Sequence, residues 1–126
     1  MTKLTDKHCV PCEGGTPPLD EPTTTLLMGE IVGWRRLAAG QSDGDEKPGA
    51  RITKRLTFKD FVAAMSFLDK LAVIAEAEGH HPDFCVRYNQ VDVTLWTHAV
   101  GGLSENDFIL AAKIDGLTGA GEGKTA

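Results

Sequence analysis

Residues 83–96 read D-F-C-V-R-Y-N-Q-V-D-V-T-L-W, and apolar residues alternate with polar ones on both sides of a short polar break. Such alternation is typical of strands with one buried face. Asn89-Gln90 is the expected two-residue loop, which makes this stretch a β-hairpin with Tyr88 opposite Val91. Stepping outward, the register predicts these further cross-strand pairs: Val86 with Val93, Phe84 with Leu95, and Arg87 with Asp92 on the other face.

The same register, extended past the open end of the hairpin, places His81 opposite His98 on the face away from the apolar core. Pro82 removes a ladder hydrogen bond at that point, so we expect the strands to separate and leave a cleft between the two rings. Trp96 lies on the same face and is a candidate for the wall of a ligand pocket.

The clearest helix is predicted from Thr57 to Gly79. The sequence T-F-K-D at 57–60 supplies a capping threonine with an acidic residue three positions on, and glycine suits the left-handed position at a helix end. The apolar residues of this helix recur at intervals of three and four and form one broad buried face: Phe58, Phe61, Val62, Met65, Phe67, Leu68, Leu71, Ala72, Ile74 and Ala75.

Further elements are predicted on both sides. A short helix is expected from Thr23 to Gly33, and a last helix is expected from Ser104, its capping residue, to Gly116. Residues 34–38 and 51–57 are expected to form a second hairpin, in which these residues share one side: Ile52, Lys54 and Leu56. The chain is therefore predicted to be an α+β protein in the order helix, strand, strand, helix, strand, strand, helix.

Three segments are predicted outside these elements. Residues 1–22, rich in proline and glycine, are expected to form an N-terminal arm before a single domain at 23–117. Residues 118–126 are expected to be a disordered tail, and 39–50 is a polar insertion between two strands.

Composition excludes several classes of function. The 126 residues carry a formal net charge of -5 without a lysine or arginine stripe, so nucleic-acid binding is not expected. Neither a signal peptide nor a membrane span is predicted, and we expect a cytoplasmic protein. Its three cysteines are an odd number, which favours reduced thiols.

The histidines at 80, 81 and 98 carry the candidate chemistry. An imidazole transfers protons near neutral pH because both its acid and base forms are accessible there. Glu76 lies four residues before His80 and is a candidate to orient it, and Asp107 at the start of the last helix is another. These residues favour acid/base chemistry on a small organic molecule.

Two alternatives stay open on the residues alone. A His-His pair after a helix often only caps the last carbonyl groups. Imidazoles also bind zinc, and His8, Cys9 and Cys12 fall close together, but a single C-x-x-C is only half of a typical four-ligand set.

Residues 76–107 resemble the signature of the pterin-4a-carbinolamine dehydratases. The resemblance rests on these motifs in order: Glu76, His80-His81-Pro82-Asp83-Phe84, Tyr88-Asn89, Thr97-His98, Gly102-Leu103-Ser104 and Asp107. It extends over roughly 23–117. The chain departs from the family pattern at Ala77, at Phe84 and in the insertion after Ala38, and none of these changes a histidine.

The resemblance implies a four-stranded antiparallel sheet with helices packed on one face. It implies dehydration of 4a-hydroxytetrahydropterin to quinonoid dihydropterin, a step that recycles the tetrahydrobiopterin-type cofactor of aromatic amino acid hydroxylases, with no metal or cofactor. His80 and His98 would be the acid/base pair, and His81 would assist and hold the pterin. Glu76 would support His80, with Asp107 and Trp96 at the substrate pocket.

The resemblance also implies a homodimer or homotetramer. Two other functions remain open beside the dehydratase. One is a non-catalytic binding protein that acts as a dimerisation cofactor, and the other is a related dehydratase in molybdopterin metabolism.

Overall fold

A computed structural model describes residues 4–9, 17–37, 50–118 and 124–125. A 3-10 turn at Leu4–Asp6 precedes the helices and strands, and another lies at His98–Val100. The elements in chain order are α1 (Glu21–Met28), β1 (Arg35–Leu37), β2 (Arg51–Thr57), α2 (Phe61–Glu78), β3 (Asp83–Arg87), β4 (Gln90–Leu95), α3 (Glu105–Thr118) and β5 (Lys124–Thr125). The predicted α+β class and the predicted element order are confirmed.

Four strands form an antiparallel sheet in the order β1-β2-β4-β3, and β5 pairs with the end of β2. The core lies between this sheet and the helices α2 and α3 on one of its faces. The buried apolar side chains of the two central strands are Ile52, Leu56, Val91, Val93 and Leu95, and those of the helices include Phe67, Leu71, Phe108, Leu110 and Ile114. None of the helices within the described ranges is long and apolar enough to cross a membrane.

The hairpin formed by β3 and β4 has a different loop from the predicted one. Arg87 pairs with Gln90 and Val86 with Val91, so the loop is Tyr88-Asn89 and the predicted register is wrong by two residues. The reason is a contact outside the hairpin: Asn89 Nδ2 donates to the carbonyl oxygen of Phe58 at 2.9 Å, and Phe58 N–H donates to the Asn89 carbonyl at 2.8 Å.

A shift of two residues keeps every side chain on its predicted face. Val91 and Val93 are accordingly buried, whereas Phe84 is 55% exposed because β3 is the edge strand. The expected ion pair of Arg87 with Asp92 does form, although the two residues are not directly opposite. Arg55 also donates to Asp92, and this bond is the main reason that the pKa of the Asp92 carboxyl is lowered.

The predicted helix boundaries need correction. Helix α2 begins at Phe61 with Asp60 as its cap, not at Thr57, because Thr57 is still paired with Gln90 in the sheet. Helix α1 begins two residues earlier than predicted, at Glu21, because the Asp20 carboxylate accepts from Thr23 N–H, and it ends at Met28.

The C-terminal prediction is partly wrong. Helix α3 continues through Gly116 to Thr118, and Lys124–Thr125 pairs with β2. This short strand pairs with β2 at Leu56 and Thr57, beyond the end of β1, where a sheet edge has backbone groups to satisfy. The other residues of the predicted tail, 119–123 and 126, lie outside the described ranges, as do 38–49 with the insertion.

The loop residue Tyr88 provides a test of this hairpin, because its φ of 52° lies in the left-handed region. Tyr88→Gly should be about 0.5 to 1 kcal/mol more stable than Tyr88→Ala, since only the alanine keeps the Cβ that is strained there. Both variants remove the same exposed ring. Urea denaturation followed by circular dichroism gives the two free energies of unfolding. Equal midpoints would contradict the Tyr88-Asn89 loop.

Candidate active site

A cavity of about 510 Å³ lies where the end of α2, the start of α3 and the segments flanking β3 and β4 meet. This volume is within the range of small-molecule sites. The residues that line it are Glu78, Gly79, His80, His81, Asp83, Trp96, Thr97, His98, Ala99 and Asn106. The structure thus brings all three predicted histidines and Trp96 to one cavity.

Gly79 places His80 at the cavity by ending α2 in a left-handed conformation. Its φ is 65°, and its N–H donates to the carbonyl of Glu76 while His80 N–H donates to that of Ala75 at 3.2 Å. A Cβ at Gly79 would meet no atom within 4 Å, so the positive φ, not crowding, is what favours glycine here. The chain therefore leaves the helix sharply, and His80 follows the last turn.

His80 is held by a buried carboxylate. Its Nε2 lies 2.6 Å from Asp107 Oδ1, and the Asp107 side chain has 0% exposure while that of His80 has 12%. Asp107 Oδ2 accepts from Thr97 Oγ1 at 2.9 Å and from Ser104 N–H at 3.0 Å. When the carboxylate accepts from Nε2–H, Nδ1 of His80 is left to exchange a proton.

Thr97 connects this carboxylate to the turn after β4. Its backbone N–H donates to the Gly102 carbonyl at 2.7 Å, and its Oγ1 lies 2.7 Å from Ser104 Oγ. A hydroxyl has one proton, so if Thr97 donates to Asp107, Ser104 must donate to Thr97. Ser104 N–H to Asp107 is the bond that a helix-capping sequence predicts. The role of Thr97 was not predicted.

Glu76 was expected to support His80, but in the structure it contacts His81 instead. Glu76 Oε1 lies 2.7 Å from Nε2 of His81, and their side chains are 80% and 60% exposed. The expectation assumed helical spacing between Glu76 and His80, and the left-handed Gly79 breaks that spacing. Asp107 takes the place of Glu76 as the partner of His80, and it lies fully buried, not at the pocket edge.

His98 is placed by the turn after β4 and by Trp96. The two rings meet edge to face, with 5.3 Å between centroids and 76° between planes. Trp96 Nε1 donates to Asp83 Oδ2 at 3.3 Å. The predicted pairing of His81 with His98 is wrong, because β3 begins at Asp83 and β4 ends at Leu95. The two histidines line the same cavity but are not paired with each other in the sheet.

Glu78 is a cavity residue that the sequence did not single out. Its side chain is 6% exposed and accepts from Cys9 N–H at 2.7 Å, and its Oε2 lies 2.9 Å from Nδ1 of His8. Burial raises the pKa of the Glu78 carboxyl, but the bonds from Cys9 and His8 outweigh it and the net pKa is lowered. Part of the predicted arm, residues 4–9, thus contacts the wall of the cavity.

Cys9 is one of three neighbouring residues, with His8 and Cys12, that the sequence leaves open as part of a zinc site, and the structure gives it other contacts. Its Sγ donates to the carbonyl of Asn106 at 3.6 Å, and burial, then the nearby Glu78 charge, raises its pKa to about 12. A neutral thiol is a poor nucleophile and a poor metal ligand. Cys12 lies outside the described residues.

Known proteins resemble this chain over the region that forms the cavity. The family model described as pterin 4 alpha carbinolamine dehydratase matches residues 17–117, which includes every cavity-lining residue. The chain belongs to this family.

Members of the pterin 4 alpha carbinolamine dehydratase family are similar over most of the chain. A Nitrosospira multiformis protein that carries the provisional name pterin-4-alpha-carbinolamine dehydratase is 46% identical over 114 residues, 90% of this chain and 91% of that one. A Rickettsia canadensis protein with the same provisional name is 41% identical over 115 residues, covering 91% and 97% of the two chains.

Two solved structures share the dehydratase-family fold. A Brucella melitensis protein described as a transcriptional coactivator/pterin dehydratase matches with a TM-score of 0.66 and 35% identity, over 79% of this chain and 97% of that one. A pterin dehydratase-like protein described as a RuBisCO assembly factor in the alpha-carboxysome matches with a TM-score of 0.53 and 28% identity, over 69% and 90%.

Thr97→Val tests the hydrogen bonds around Asp107. Valine keeps the shape of threonine but leaves Asp107 Oδ2 and the Ser104 hydroxyl each without one partner, so the variant should lose about 1 to 3 kcal/mol of stability. Thr97→Ser keeps the hydroxyl and should lose clearly less. Urea denaturation compares the two variants with the parent chain. A valine variant as stable as the serine variant would show that the hydroxyl does not hold Asp107.

Proposed function

We propose that the chain is a hydro-lyase that converts 4a-hydroxytetrahydropterin to quinonoid dihydropterin and water by histidine acid/base catalysis. The observation that carries the proposal is the cavity lined by His80, His81 and His98, in which one imidazole is anchored by the buried Asp107. The family to which the chain belongs and the names of its relatives support the same reaction.

The reaction needs two proton transfers and no oxidant. The bond between carbon 4a and the hydroxyl oxygen breaks, and a proton delivered to that oxygen lets it leave as water. The neighbouring ring nitrogen loses its proton, and the electron pair that remains forms the carbon–nitrogen double bond. An enzyme can accelerate both steps with one acid and one base held in position.

His80 is proposed as the base. When its Nε2–H donates to Asp107, the other ring nitrogen is the acceptor that a base requires, and the buried carboxylate stabilises the imidazolium that forms. Because Asp107 accepts from two further donors, it is fixed before the substrate binds. Fixed dipoles and charges of this kind need not reorganise during the reaction.

His98 is proposed as the acid, and the remaining cavity residues hold the substrate. The edge-to-face contact of His98 with Trp96 restricts its ring, and Trp96 offers a flat surface for a bicyclic pterin. His81 lines the cavity and is exposed, so we assign it to orienting the pterin at the cavity mouth, with Glu76 holding its ring.

Absorbance at the quinonoid dihydropterin band, with freshly made 4a-hydroxytetrahydropterin as substrate, tests the proposal. Replacing His80 and His98 together by alanine should lower the catalysed rate by about 10²-fold or more, since general acid/base contributions are of that order for each group. A chelator should leave the parent rate unchanged. Normal dehydration by the folded double variant would refute the assignment.

The pH dependence of kcat/KM separates the two histidines. A base must be neutral, so its titration gives the rise in activity at low pH, and an acid must be protonated, so its titration gives the fall at high pH. His80→Ala should therefore remove the rise and His98→Ala the fall. The opposite pattern would exchange the two roles.

A binding or assembly protein is the second candidate, favoured by the descriptions of the two solved relatives as a coactivator and as an assembly factor. That role does not need the Asp107 anchor. Co-purification with the double histidine variant distinguishes the candidates, because a scaffold keeps its partner when the histidines are lost. A dehydratase in molybdopterin metabolism would leave 4a-hydroxytetrahydropterin unchanged in the absorbance assay and would dehydrate a different pterin.

The proposal includes a homo-oligomer and a link to aromatic amino acid hydroxylases, whose used cofactor this reaction would restore. Val62 and Val73 are 71% and 70% exposed on α2, and their spacing of eleven residues places them on one face of the helix. Two large exposed apolar side chains on one helix face favour association, here with a second copy of the chain.

Sedimentation equilibrium tests the oligomer. The parent chain should sediment as a dimer or tetramer, and Val62→Glu with Val73→Glu should shift it to smaller species, because association would bury two charges. Leu26→Glu, at an equally exposed leucine of α1, is the control and should change nothing. A monomeric parent chain would contradict the proposal.

A further inference from the structure

We propose that Glu78 is a positioning residue that binds an N-terminal strap, residues 4–9, and that the strap holds the start of α3 against the end of α2. This contact would set the distance between Asp107 and His80. The inference rests on the proposed function for its effect on catalysis, but the strap itself is independent of it.

The strap is attached along α3. The turn at Leu4–Asp6 packs against this helix, and Leu4 lies in the hydrophobic core. The polar contacts are Lys7 Nζ to Glu105 Oε2 at 3.0 Å, Lys113 Nζ to the Thr5 carbonyl at 3.0 Å, and Cys9 Sγ to the Asn106 carbonyl at 3.6 Å. Both ends of the strap therefore contact α3.

Glu78 is the attachment of the strap to α2. Its buried carboxylate accepts from Cys9 N–H at 2.7 Å and lies 2.9 Å from Nδ1 of His8. Lys113 Nζ lies 3.6 Å from Glu78 Oε2 and so contacts both the strap and α2. An almost fully buried carboxylate keeps its place only with such partners, which makes this attachment specific.

Cys9 spans the gap between the end of α2, which precedes His80, and the first turn of α3, which carries Asp107. Its N–H binds Glu78, two residues before His80, and its thiol binds the carbonyl of Asn106, one residue before Asp107. Burial, and then the charges of Glu78 and Asp107, raise the pKa of this thiol, so it keeps its proton for the bond.

The strap matters because the His80–Asp107 contact is short and lies between segments of different elements. A displacement of about 1 Å at a catalytic group can lower a rate by about 10²-fold. Releasing the strap would free the first turn of α3 from the end of α2. We expect a fall in kcat with a smaller change in KM, because none of the strap residues lines the cavity.

Alkylation of the cysteines reports on the strap without any use of activity. Iodoacetamide labelling is followed by peptide mass spectrometry, with exposed Cys85 as the internal reference for half-buried Cys9. Glu78→Ala should speed labelling of Cys9 relative to Cys85 by about tenfold and lower kcat by a similar factor, which is the effect of losing one or two hydrogen bonds. Glu78→Gln keeps an acceptor for Cys9 N–H but, like the alanine variant, removes the charge that raises the Cys9 pKa. Cys9 should therefore be labelled faster in Glu78→Ala than in Glu78→Gln, and the glutamine variant should retain most of kcat.

Leu4→Ala separates the strap from a local effect at Glu78. Leu4 is buried away from the cavity lining, so this variant should also expose Cys9 and lower kcat. Leu26→Ala, at an exposed leucine of α1, is the control. Unchanged Cys9 labelling in both folded variants, Glu78→Ala and Leu4→Ala, would refute the strap. Faster labelling of Cys9 with an unchanged kcat would refute the role of the strap in positioning. A parent chain without dehydratase activity would refute the proposed function, and the labelling would still test the strap.

Discussion

The Asp107 carboxylate has no exposure to solvent, and a group of this kind is tolerated in a protein only where donors surround it. Its three donors come from three places: the segment after α2, the turn after β4 and the residue before α3. The carboxylate is fully hydrogen-bonded only when all three donors are in position at the same time. The helix end, the hairpin and the last helix are thereby fixed to one another at the point where the cavity opens.

Helix α3 is held in a comparable way at a second acidic residue. Asp115 accepts from Lys54 Nζ at 2.8 Å and from Trp34 Nε1 at 3.0 Å, and Lys54 also donates to the Val32 carbonyl. Lys54 lies on the core side of β2, where an unpaired ammonium would be strongly unfavourable. Two acidic side chains eight residues apart therefore fix both the position and the rotation of α3, and the rotation is what directs Asp107 towards His80.

The strands were predicted almost to the residue because burial of one sheet face imposes a period of two that a short window reveals. The hairpin loop was not predicted correctly. Tyr88 adopts a positive φ, which is unfavourable for a residue with a Cβ, and Asn89 is held by Phe58, which is distant in sequence. The start of α2 was misplaced for a related reason: Thr57 has a good capping sequence but is retained by the sheet. Contacts between distant segments decided both outcomes.

The same distinction explains the site. The histidines could be placed at one end of the hairpin from the alternation alone, but the partner of each depended on the left-handed Gly79. A regular helix would have kept Glu76 and His80 on one face; the turn at Gly79 instead directs His80 to a buried carboxylate and leaves His81 with an exposed one. Two adjacent imidazoles thus have opposite surroundings. In the proposed mechanism the base needs a fixed, desolvated partner, whereas the residue that contacts an entering substrate must be accessible, so the single glycine would separate the two tasks.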